Sequence, residues 1–322
     1  MTIRAGNRTF GGPTNSARNS EPDALPRETA KRTELRRHSF NRNAALYDRA
    51  RPGYPEELFD DLVRLTAVRP TAYGLRPAAN PNSEPPAVSR RPSAVCSRIL
   101  EIGPGTGQAT LPLARRGFSI LGLELGDRMA RICRRNLRGF PEVEIRNVRF
   151  EDWEPEPEAF DIVLAATAFH WIPGRVAWPR CAKILKPGGH LALLWNFPDL
   201  PDSPVYRELR AVYHELMPKR EDPRPPAARI ARQEKKIVSS GRFGPVTIRR
   251  YPWQREYTTD EYIAQLRTQS DHAILAPANR ARLLREIRRV IDRHGGRIAR
   301  PVVAALFLAP KRAEKSTTGE HR

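Results

Sequence analysis

Ile99-Leu100-Glu101-Ile102-Gly103-Pro104-Gly105-Thr106-Gly107 is the stretch that decides the fold. The apolar residues around one carboxylate read as a strand and the glycines as a tight turn. Residues 108–116, with Leu111, Leu113 and Ala114, then read as a helix. Glycine permits positive φ and carries no Cβ, so a ligand can lie directly on this main chain while amides point at it. Phe118-Ser119-Ile120-Leu121-Gly122-Leu123 reads as a second strand. It ends in Glu124, nineteen residues after Gly105, where an acid can reach the hydroxyls of a ribose.

That spacing suits any adenosine-bearing cofactor. A dinucleotide's pyrophosphate favours G-x-G-x-x-G, with close helix packing at the last glycine. Here Gln108 stands at that position and the pattern is G-x-G-x-G, which turns the choice toward S-adenosylmethionine.

Glu101 to Gly107 with Glu124 resembles the cofactor signature of class I S-adenosylmethionine-dependent methyltransferases. Phe160-Asp161-Ile162-Val163, His170-Trp171 and Leu185-Lys186-Pro187-Gly188-Gly189 follow in the order that superfamily shows, and the resemblance spans roughly residues 40–312. It is nearest the small-molecule group similar to trans-aconitate methyltransferase, which shares the Tyr47…Arg51-Pro52-Gly53-Tyr54-Pro55 segment and the His-Trp pair. The implied fold is α/β: a Rossmann-like seven-stranded sheet of order 3-2-1-4-5-7-6, last strand antiparallel, with helices on both faces and a small helical lid insertion.

The resemblance also implies a site for S-adenosylmethionine. Glu101 would line the methionine end, and Gly103, Pro104, Gly105, Thr106 and Gly107 would form the close main chain. Glu124 and Leu125 would hold the ribose, and Ala166 would close the end of the fourth strand. By register from Phe160-Asp161, Phe150 and Glu151 fall at the adenine, with Asp152 the alternative to Glu151; the family often has a small residue where Phe150 stands. Tyr47 and Arg51 are cofactor candidates, and Tyr54 faces cofactor or acceptor; the alternative for both tyrosines is half-buried packing. His170 is the catalytic candidate and, with Trp171 and His272, an acceptor-side candidate. A hydrogen-bonded structural histidine and a pocket-wall tryptophan are the alternatives.

Enzymes that methylate exocyclic base amines resemble one another in an Asn- or Asp-Pro-Pro-aromatic turn after the fourth strand. Here Ala166-Thr167-Ala168-Phe169-His170-Trp171 stands there, and Asn196-Phe197-Pro198 comes one strand later. Base-amine methylation is therefore disfavoured.

A chain of 322 residues is long enough for one α/β domain with appendages. The net charge of +20, mostly arginine, reads either as attraction to polyanions or as an arginine-heavy proteome. Cys96, Cys133 and Cys181 form no C-x-x-C, so neither a disulfide framework, a zinc site nor any other metal is expected, and a reducing cytoplasm fits. No apolar run reaches the length of a membrane span.

Residues 1–38 read as a disordered basic arm, either a solvated tail or a contact for nucleic acid. Residues 39–312 form the domain. Within it 69–97, rich in Pro, Ala, Arg and Ser, reads as a disordered insertion loop, and 199–240 as a lid on the acceptor side, with a helix at 206–217 and a Pro/Arg-rich stretch after it. Residues 313–322 read as a disordered tail. The expected activity is methyl transfer to a small-molecule acceptor. Arg51, His170 and the basic balance suggest a carboxylic acid, which needs no base. The rivals are a nucleic-acid enzyme or binder, and a non-catalytic module of the same fold. Oligomeric state is not readable.

Overall fold

The protein is described here by a computed structural model covering residues 27–67, 97–155, 157–218 and 224–313. Three helices, α1 (Arg27–Arg42), α2 (Ala44–Ala50) and α3 (Glu56–Thr66), precede β1 (Arg98–Ile102). Then come α4 (Thr110–Arg115), β2 (Ser119–Glu124), α5 (Asp127–Asn136), β3 (Val143–Asn147), β4 (Phe160–Ala166), α6 (Gly174–Ile184) and β5 (Leu185–Pro198). The last part runs α7 (Pro204–Leu216), α8 (Pro226–Ser239), β6 (Thr247–Thr258), α9 (Thr259–Arg267), α10 (Ser270–Ala273), α11 (Pro277–Arg293) and β7 (Arg297–Pro310).

The sheet has the expected order, β3-β2-β1-β4-β5-β7-β6. β1 to β5 are parallel, and β7 runs antiparallel to both β5 and β6. The strands read as continuous apolar runs because both faces are covered. Successive side chains alternate between two cores: Leu100, Val163, Leu193 and Phe307 join Phe150, Phe160 and Trp195 on one face, while Ile99, Ile162, Leu194 and Leu306 meet Phe59, Leu113 and Cys133 on the other.

A third core, built by α7, α9 and α11 with Tyr257 and Ile298, stands at the carboxyl edge of the parallel strands. Because β7 is antiparallel, its first residues lie at that same edge, opposite Thr258 at the end of β6.

Two expectations need correction. Residues 27–38 are helical, not disordered: polar anchors set by the distant fold hold α1, and an amphipathic face is not what orders it. The stretch after 217 holds α8, which buries Ile230 and Ile237 in the sheet core; this half of the insertion is a crossover helix lining the sheet, so only α7 stands over the edge as a lid. The remainder of the basic arm (1–26), nearly all of the 69–97 insertion and the tail from 314 lie outside the described residues.

Candidate active site

The turn after β1 is built from three glycines that all adopt positive φ: Gly103 at +67°, Gly105 at +64° and Gly107 at +101°. A Cβ on Gly103 would stand 2.8 Å from Cβ of Ala168, so the turn needs bare main chain there for space as well as for conformation. Behind the turn Thr106 is buried, and Asn136 of α5 donates to its carbonyl at 2.9 Å.

Glu124 closes β2 beside this turn. Its carboxylate accepts from the amides of Gly105 (3.0 Å) and Gly126 (2.9 Å). Burial pushes its pKa up to about 7, against the pull of those two N–H donors and of Arg37. Glu101 is wholly buried, and neither of its oxygens has a hydrogen-bond partner of good geometry. Burial raises it to about 7 as well; the nearby Thr110 hydroxyl moderates the rise and the Glu124 charge adds to it. A buried carboxyl left without a partner beside a ligand-shaped turn is poised for a cation or donor from outside.

A cleft opens in front of this turn. Gly103, Gly105, Glu124, Leu125, Phe150 and Ala166 line its floor, and Tyr47 and Trp171 its sides. Its roof is α1. Asn41 Oδ1 accepts from the amides of Arg128 (2.9 Å) and Met129 (3.4 Å), capping α5, whose own N-cap, Gly126, has no side chain to offer. Phe40 packs edge-on against Tyr47 and Trp171, and Arg37 reaches Glu151. These α1 residues were not candidates in the sequence, where the only signal was a single phenylalanine in a polar stretch.

The other candidates are placed as follows. Pro104 is buried under the turn. Arg51 lies 5.0 Å from the Tyr47 ring and donates to the Thr268 carbonyl at 2.9 Å. Tyr54 shares a 2.8 Å hydrogen bond with Thr167, a β-branched residue at φ +54° just past β4, a strained position at the ligand edge of the sheet. Asn196 donates to Gly53 at 2.9 Å and accepts from Trp253, fixing the entry segment to β5. His170 is open to solvent and tilts against Trp171 with ring centroids 4.5 Å apart. The surrounding chain, then the charges of Arg36, Lys236 and Arg229, hold its pKa below the usual imidazole value.

His272 does not face an acceptor. It is fully buried, with Nδ1 2.8 Å from Asp271 and Nε2 3.0 Å from the Tyr213 hydroxyl, so both ring nitrogens are spent tying α10 to α7. Among the described residues no helix is long and apolar enough to cross a membrane, and no cluster of His, Cys, Asp and Glu could hold a metal.

Residues 100–193, from β1 into β5, match the family model of the methyltransferase domain. An uncharacterised methyltransferase of Mycobacterium tuberculosis is 30% identical over 161 residues, 50% of this chain and 53% of its own. The trans-aconitate 2-methyltransferase of Variovorax paradoxus is 30% identical over 131 residues, 40% of this chain and 49% of its own. The chain thus spans about half the length of the curated relatives it matches. A solved structure named for a type II methyltransferase of Anaeromyxobacter dehalogenans superposes with a TM-score of 0.50 at 22% identity, covering 81% of this chain and 96% of that one. It shares the fold.

Proposed function

We propose that this chain, which carries a class I methyltransferase domain, binds S-adenosylmethionine in the cleft under α1 and transfers its methyl group to a small-molecule acceptor. One observation carries the reading: a bare, positive-φ main chain at Gly103 to Gly107 faces Glu124, with the partnerless Glu101 beside it.

The residues fit the cofactor. Glu124 would take the ribose hydroxyls, Leu125 and Phe150 would flank the base, and Gly103 and Gly105 would lie against the chain that links it to the methionine, with Tyr47 opposite. Glu101, Pro104, Thr106 and Gly107 shape the turn from behind. Glu151, held by Arg37, would serve the adenine edge through the orientation that pair imposes.

When bound, the cofactor supplies an already activated methyl. The protein's task is then alignment and the exclusion of water, which α1, Tyr47 and Trp171 can provide as walls. His170 has neither ring nitrogen oriented by a hydrogen bond to a described residue, so it lacks the support expected of a general base. A carboxylic acid, whose anion needs no base, suits such a site better than an amine or a phenol, with Arg51, Tyr54 and Trp171 on the acceptor side. A cytoplasmic place of action goes with this reading.

Calorimetric titration with S-adenosylmethionine tests the cofactor. Incubation with an isotopically labelled methyl donor and a cell extract, read by mass spectrometry, tests the acceptor. A folded protein that takes up no cofactor would overturn the reading.

A further inference from the structure

Four arginines stand beside the cofactor cleft, each laid against an aromatic ring. Arg36 lies 5.6 Å from the centroid of Trp171, Arg51 5.0 Å from Tyr47, Arg229 4.7 Å from Phe197 and Arg300 6.0 Å from Tyr262. They come from α1, the segment after α2, α8 and the start of β7. All four lie outside residues 100–193.

Their contacts close into a ring. Arg36 donates to Ser270 Oγ at 3.2 Å, and Arg51 to the Thr268 carbonyl two residues away. Arg36 and Arg229 both bear on the His170 imidazole, Arg229 and Arg300 repel each other, and Arg300 and Arg51 both bear on the Tyr257 hydroxyl.

Elsewhere this chain pairs many of its arginines: Arg116 with Glu56 and Asp60, Arg282 with Glu215, Arg293 with Glu208. None of the four in the ring has a carboxylate partner among the described residues, although all four are half-buried. The Nε atoms of Arg51 and Arg300 are buried without an acceptor. Cations crowded together, partly stripped of water and unpaired, are costly, and an anion from outside offsets that cost. Stacking on a ring fixes each guanidinium plane and leaves its N–H edge free, the arrangement suited to planar oxyanions.

We propose that this ring is the acceptor site and that it takes a small molecule with two anionic groups, one of them the carboxylate that receives the methyl. The inference rests on the methyl-transfer reading above. A single carboxylate satisfies one or two guanidinium forks. It would leave either the Arg36 and Arg229 side, at His170, or the Arg51 and Arg300 side, at Tyr257, uncompensated. Transfer forms a C–O bond at the carboxylate oxygen while the electron pair of the broken C–S bond stays on sulfur, and no proton moves. The acceptor thereby loses one negative charge. The monoester matches the ring less well than the dianion, so it leaves, and a second methylation is disfavoured.

The test is binding to the protein loaded with S-adenosylhomocysteine. Dicarboxylates of four to six carbons are titrated against monocarboxylates of the same lengths and against a phosphorylated monocarboxylate. A dianion is expected to bind at least about tenfold tighter than its matched monoanion, the size of one added charge-assisted contact. Arg229→Gln and Arg300→Gln should each remove about that factor for the dianion, with S-adenosylhomocysteine affinity unchanged within about twofold as the check that the fold persists. Tightest binding of the phosphorylated compound would make the second group a phosphate and keep the proposal. Equal affinity for mono- and dianions, no binding of any of them, preference for an amine or phenol, or a diester product would overturn it. A folded protein that does not take up S-adenosylhomocysteine fails the underlying reading instead, and that shows in the first titration.

Discussion

Arg37 and Glu151 form a two-pronged ion pair, Nη1 to Oε1 at 2.5 Å and Nη2 to Oε2 at 3.0 Å, with side chains only 10% and 13% exposed. The pair joins α1 to the loop after β3, and Arg37 also feels the charge of Glu124 inside the cleft. One contact thus fastens the roof to both ends of the adenosine site.

Arg37→Ala should loosen that roof. It leaves Glu151 half-buried without its partner, a loss of about 2 kcal/mol of local stability for a charge-assisted contact. Amide exchange over residues 33–42 should rise by more than about tenfold while the β4 and β5 amides keep their protection, as hydrogen-exchange mass spectrometry would report. Unchanged exchange in α1 would mean that other contacts hold the helix.

Gly103→Ala should abolish or strongly weaken cofactor binding, since the new methyl meets Ala168 at 2.8 Å and φ is +67°. A loss of about 1–3 kcal/mol in cofactor affinity is expected by calorimetry. Gly53→Ala is the control: nothing lies within 4 Å of its added Cβ and its φ is ordinary, so both affinity and melting temperature should stay near wild type.

Glu101 should make the protein less stable as pH rises. Its folded pKa, about 7, lies above the ordinary value of 4.5, so between those values the native state binds more protons than the unfolded chain. The stability present below pH 4.5 is lost as pH climbs through 7. At about 1.4 kcal/mol per unit the full span is on the order of 3 kcal/mol. Glu101→Gln should flatten this dependence and raise the melting temperature at pH 8 relative to wild type more than at pH 5. Parallel curves for the two proteins would refute the assignment.

His170→Gln should keep kcat within about threefold and remove no limb from the pH profile, because the ring lacks an orienting partner. A general base would cost about 10²–10⁴ in rate, so the two outcomes are well separated.

The sheet was readable because it depends on local chemistry: a carboxylate in an apolar run, glycines where φ must be positive, and Glu124 at a set distance. What escaped was assembled by tertiary contact. Arg36 and Arg37 read as part of a solvated arm, since nothing in their neighbourhood tells that Ser270 and Glu151 will meet them. α8 was hidden because Ile230 and Ile237 recur only once, in a stretch dominated by proline and arginine. Arg229 and Arg300 were indistinguishable by pattern from the surface arginines of α11; only their lack of carboxylates, a property of the folded chain, sets them apart. His272 was read from a motif that places it near the acceptor mouth, but its ring turned inward once Asp271 and Tyr213 were available.

The roof helix is among the first parts of the chain to leave the ribosome, yet its two anchors are made far later: Glu151 lies 114 residues beyond Arg37, and Ser270 lies 234 beyond Arg36. During synthesis the sheet from β1 to β5 can therefore assemble around an uncovered cleft, and nascent chains arrested before α10 would expose the cofactor turn to whatever nucleoside the cell contains. Closure belongs to the finished polypeptide.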